Sequence, residues 1–147
     1  MEKVKLQAQY GLYINGEWRN AYDGATYNAE SPADGSHLAV CAQGSREDVE
    51  AASAAAWEAF KTWKKTTPAQ RAALLNKIAD IIDANKEHLA MVESMDNGKP
   101  IRETMNVDIP MAAEHFRYFA GCILAEEGQA SVLNEQFLSI ILREPIG

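Results

Sequence analysis

Along the first 45 residues apolar and polar positions alternate in short stretches, and from Ser45 onward apolar positions recur at three- and four-residue steps. The first pattern predicts strands and turns, the second helices. Tyr13-Ile14 and Glu17-Trp18 flank Asn15-Gly16, the pair that most readily takes the two positive φ values of a type I′ turn, so a β-hairpin is expected there. A second hairpin is expected where Tyr27-Asn28-Ala29-Glu30 and the run His37 to Ala42 enclose Ser31-Pro32-Ala33-Asp34-Gly35, in which Pro presets φ and Gly closes the turn.

Ser45 with Asp48 three residues on has the form of a capping box, and Val49, Ala52, Ala56, Phe60 and Trp63 follow at helical steps, which predicts a helix to about Trp63. Thr67-Pro68-Ala69-Gln70 opens a second helix with an N-cap hydroxyl, Pro at the first helical position and Gln able to return a bond to the cap. Leu74, Leu75, Ile78, Ile81 and Ile82 form its apolar stripe. A third helix from near Asn85 carries Leu89, Val92 and Met95 and stops at Asn97-Gly98-Lys99-Pro100, where Gly supplies a left-handed cap and Pro prevents continuation. Pro100 opens a short helical piece, and Pro110 starts a fourth helix with Ala113, Phe116, Ala120, Ile123 and Leu124 on one side and an end at Gly128. The last element, Phe137 to Leu142, is apolar on both faces, as in a strand buried in or paired to something, and nothing after it can supply the partner.

A formal charge of -7 at a length of 147 residues sets the surface against phosphate backbones, so nucleic acid is not an expected partner. Cys41 and Cys122 lie far apart without metal-ligand spacing, which points to neither a disulfide framework nor a zinc site and fits a reducing cytoplasm. The segment Met1 to Tyr10 is too polar for an export signal, and no apolar run is long enough to span a bilayer, so a cytoplasmic, non-membrane protein is expected.

Candidate chemistry is sparse. Cys41 falls in a strand-like apolar run and Cys122 in an aromatic-rich helix, where a small buried hydrophobe is the ordinary role. His37, His88 and His115 are scattered, and Glu114-His115 lacks the second His of a zinc protease. The pairs Glu47-Asp48 and Glu126-Glu127 read as solvated helix ends rather than acid-base pairs, and Phe116, Tyr118 and Phe119 as core packing. There is no glycine-rich phosphate loop. Asp96-Asn97-Gly98-Lys99-Pro100 holds more polar residues than a helix stop needs; besides a cap, it suits a cation site, since Asp at a helix C-terminus sits beside outward-facing carbonyls.

Several strings together resemble the N-terminal part of the aldehyde dehydrogenase superfamily: Tyr13-Ile14-Asn15-Gly16-Glu17-Trp18, Ser31-Pro32-Ala33-Asp34-Gly35, Arg71-Ala72-Ala73-Leu74-Leu75 and Met95-Asp96-Asn97-Gly98-Lys99-Pro100, in the family's order. Phe116-Arg117-Tyr118-Phe119-Ala120-Gly121 and Arg143-Glu144-Pro145-Ile146-Gly147 extend the match from about Tyr10 to the last residue. Lys99 to Thr104, Asp108 with Pro110, and His115 to Ala120 with Cys122 look most like bacterial acetaldehyde and broad-specificity NAD(P)-dependent aldehyde dehydrogenases.

The resemblance implies an enzyme that oxidises an aldehyde to a carboxylate with NAD or NADP through a cysteine thiohemiacetal. It implies an α/β fold: two short β-hairpins, about four helices and a C-terminal strand, without the Rossmann-like sheet core. Residues 1–128 then form the N-terminal part of the coenzyme-binding domain, and residues 129–147 begin an oligomerisation arm, with the catalytic domain absent. In the family the oxyanion-hole Asn, the coenzyme-binding segments, the general-base Glu and the nucleophilic Cys follow the Arg-Glu-Pro-Ile-Gly string. No catalytic or coenzyme-binding residue is therefore carried over, to Cys41 or Cys122 or any other, and the chain is expected to be inactive alone. Two features do map: a monovalent cation, Na or K, held by Ala29, Glu30 and Asp96, and a strand Phe137 to Arg143 that pairs with later chain and with a neighbouring subunit. The competing expectation is a stand-alone helical interaction module that recruits a partner through the exposed C-terminal strand.

Overall fold

The computed structural model describes residues 4–147. Residues 1–3, part of the polar start set against an export signal above, lie outside the described residues. Strands β1 (Gln9–Tyr10), β2 (Leu12–Ile14), β3 (Glu17–Arg19), β4 (Thr26–Glu30) and β5 (His37–Ala42) precede four long helices, α1 (Arg46–Trp63), α2 (Pro68–Ala84), α3 (Lys86–Asn97) and α5 (Ile109–Leu124), with the short α4 (Ile101–Glu103) before α5. Strands β6 (Gln129–Asn134) and β7 (Phe137–Ile141) follow. The result is the expected mixed α/β chain, with its strands in three small sheets where two hairpins and a lone C-terminal strand were expected.

Both expected hairpins form. In β2–β3, Asn15 (φ 55) and Gly16 (φ 84) supply the two positive φ values, and Tyr13 faces Trp18 with ring centroids 5.1 Å apart. In the second, β4 pairs antiparallel with β5, and β1 adds to the other edge of β5 in parallel, through Gln9 with Val40 and Tyr10 with Cys41. That third strand is an addition to the sequence reading; two residues are too short for an alternation to register.

The most extensive packing joins α2 and α5. Their buried positions are alanines: Ala72 and Ala79 on one helix, Ala113 and Ala120 on the other. Each pair is separated by about two turns and so lies on one face, where small side chains let the backbones approach closely. Arg117 clamps the pair from outside, its guanidinium 2.8 Å from Asp80 and 2.7 Å from Asp83.

Four expectations for the helices need correction. The fourth helix does not start at Pro110: α4 runs into it through a π turn, Thr104–Asp108, in which the Ile109 N–H reaches back to the Thr104 carbonyl. Pro110 follows directly after the π turn, as the second residue of α5. The helix ends at Leu124 rather than Gly128, with the Ala125 N–H bonded to the Cys122 carbonyl. Cys122 is exposed, not buried, because a two-residue step from buried Ala120 carries it to the far side of the helix. Tyr118 and Phe119 are exposed too, packed edge to face on each other at 5.3 Å, and only Phe116 turns partly inward.

The C-terminal strand also differs from expectation. It is paired, with the preceding strand β6, which low apolar content at Gln129, Ala130 and Ser131 hides from pattern reading. The Asn134 side chain closes the turn, accepting from the Gln136 N–H at 2.9 Å and the Phe137 N–H at 3.1 Å. Cross-strand pairs Ala130–Ile140 and Val132–Leu138 share one face of this hairpin, and Ser131–Ser139 lies on the other.

The accessible surface is 11198 Å², against about 7,500 Å² for a compact monomer of this mass. Large apolar side chains contribute to the excess. Val49 and Trp63 of the predicted α1 stripe, Trp57 elsewhere on α1, Leu74 and Ile81 on α2, and Val132, Leu133, Leu138, Ile140 and Ile141 on the hairpin are all exposed. Thr104 is the largest fully buried side chain among the described residues. The fully buried apolar positions of the helices are alanines, and several of their bulky apolar side chains stay exposed.

Candidate functional site

The segment singled out by its polar residues lies at the C-terminus of α3. Gly98 caps the helix at φ 77, and a Cβ there would lie 3.0 Å from Pro32 Cγ, so a glycine serves both the left-handed cap and the close approach to the Ser31-Pro32 turn. This contact brings the end of α3 to the end of β4, where Ala29 and Glu30 sit. Between those two residues the β4–β5 register shifts: Ala29 pairs with Ala39 and Glu30 with His37, leaving Leu38 as the extra residue. Such a bulge releases backbone oxygens from the ladder.

Asp96 is exposed, and its carboxylate has no hydrogen bond or ion pair among the described residues. The neighbouring cation is engaged elsewhere: Lys99 Nζ lies 2.7 Å from Asp108 and 3.9 Å from Glu93, and the hydrogen bond to Asp108 holds its ammonium above the usual lysine range. Lys99 N–H donates to Asn97 Oδ1 at 2.8 Å, which fixes the loop after the cap. Asp96 is felt by Tyr27 on β4. The Tyr27 phenol is held above its ordinary value of 10.0, first by the charge of Cys41 directly across the strand pair and a hydrogen bond to it, then by partial burial, then by Asp96.

The donors at this corner, a free carboxylate, a second exposed carboxylate at Glu30 and backbone oxygens beside a bulge, are hard oxygens. They match an alkali cation in kind and offer nothing to a soft transition metal. No cluster of three or more His, Cys, Asp and Glu side chains able to hold a metal occurs among the described residues. His37, His88 and His115 lie on three different elements, β5, α3 and α5. No helix of the described residues is long and apolar enough to cross a membrane.

Asp48 departs from the expectation of a solvated helix end. Asp48 is not on a solvated face but 2% exposed, and it accepts from the Ser45 N–H and Oγ–H at 3.0 Å, from the Tyr22 N–H at 3.0 Å and from Arg19 at 3.2 Å. The capping box was legible; the two donors from the first hairpin region were not, because they lie 26 and 29 residues earlier. These bonds, those from Ser45 and Tyr22 N–H foremost, hold the carboxyl below the ordinary value of 3.8. A group held down in the folded state contributes stability that is complete above its unfolded value and is lost as pH falls through the folded one. Thermal unfolding followed by helical circular dichroism is therefore expected to show the midpoint dropping as pH falls below about 4. In Asp48→Asn the midpoint is lower at neutral pH and less dependent on pH in that range; coincident curves for the two proteins would contradict the role given to Asp48.

Comparison with known proteins agrees with this architecture. The model of the Aldehyde dehydrogenase family matches residues 18–147. The chain is 45% identical over 145 residues to a long-chain-aldehyde dehydrogenase of Acinetobacter sp, covering 99% of this chain and 29% of that one. It is 43% identical over 144 residues to an acetaldehyde dehydrogenase of Pseudomonas aeruginosa, covering 98% and 28%. Among solved structures it is similar to PnpE from Pseudomonas sp. WBC-3, also solved in complex with nicotinamide adenine dinucleotide, with TM-score 0.85, 40% identity and coverage of 88% of this chain and 27% of that one. The chain thus spans less than a third of the length of the curated relatives it matches. With the order of its hairpins and helices and nearly its whole length matched, the chain belongs to the aldehyde dehydrogenase family.

Proposed function

We propose that this chain serves as the N-terminal portion of an NAD(P)-dependent aldehyde dehydrogenase that oxidises an aldehyde to its carboxylate in the cytoplasm. The observation that carries the reading is the uncovered apolar surface on α1, α2 and the β6–β7 hairpin, in a chain whose relatives are more than three times as long. Those faces suit packing against further elements of such an enzyme. NAD or NADP, when bound to the full enzyme, takes up the hydride; the part of this chain is structural support around that chemistry.

Within that enzyme, Asp96 with the backbone oxygens of Ala29 and Glu30 holds a sodium or potassium ion that ties the end of α3 to the end of β4. The β6–β7 hairpin serves as an arm that pairs with later chain and with a neighbouring subunit through its open edges. The test of the reading is the intact mass of the species recovered from the native source with an antibody to this segment. A species several times heavier than 16.2 kDa is expected. A species at 16.2 kDa would put the stand-alone interaction module ahead.

A further inference from the structure

We draw no further inference here: the strongest candidate, the apolar groove along α1 lined by Ala56, Trp57, Phe60 and Trp63 with Gly147 at its edge, carries nothing because nothing in the structure shows what covers it.

Discussion

Purified as 147 residues, the chain is expected to yield no NADH or NADPH from acetaldehyde or a longer aldehyde with either coenzyme. Aldehyde oxidation in this family's manner needs a thiolate with a base in hydrogen-bond reach and a site that receives the hydride. Cys41 is half-buried in the central strand, directly across the strand pair from Tyr27. A phenol held above 10.0 stays protonated near neutral pH and cannot take the thiol proton. Cys122 is exposed on the outer side of α5, and no basic side chain bonds to it among the described residues. Spectrophotometry of coenzyme reduction checks the expectation, and aldehyde-dependent reduction by the pure chain would overturn it.

The second large effect concerns association. The β6–β7 hairpin has open outer edges on both strands, and a two-stranded ribbon is at best marginally stable by itself. Val132, Leu138 and Ile140, close together on one face, are 78%, 60% and 60% exposed. Unpaired edges beside such a face template pairing with another chain. In light scattering after size exclusion, the chain is expected to run as species heavier than 16.2 kDa, increasingly so with concentration. The double substitution Leu138→Lys and Ile140→Lys places charge on that face without touching the α2–α5 packing, and it is expected to shift the distribution to the monomer mass with the helical signal retained. A wild-type chain that stays monomeric at all concentrations and unfolds in one cooperative transition would remove the arm from the account.

Local signals are legible in the sequence because they are decided within a few residues. Asn15-Gly16 dictates its turn, Thr67 with Gln70 and Ser45 with Asp48 form their reciprocal caps, and Gly98 stops α3 in the left-handed region. What pattern reading missed depends on distant partners. β1 exists because β5 offers it an edge; Asp48 is buried because Arg19 and the Tyr22 N–H reach it from the hairpin region; β6 exists because Phe137 to Ile141 gives it a partner. The stripe Val49, Ala52, Ala56, Phe60, Trp63 was read correctly as helical, yet periodicity says which residues share a face and not whether anything covers that face. At the candidate cation corner, Asp96 stands out by its polar string, whereas Tyr27 carries no signal of its own and is tied to Asp96 only through the fold.

The most direct test joins this chain to the remainder of the Acinetobacter long-chain-aldehyde dehydrogenase, in place of that enzyme's matched 145 residues, and measures aldehyde-dependent reduction of NAD and NADP. If the chain supplies the N-terminal portion of such an enzyme, the joined protein is active and aldehyde-dependent. A joined protein that folds cooperatively but reduces neither coenzyme, beside an active parent, would contradict the account.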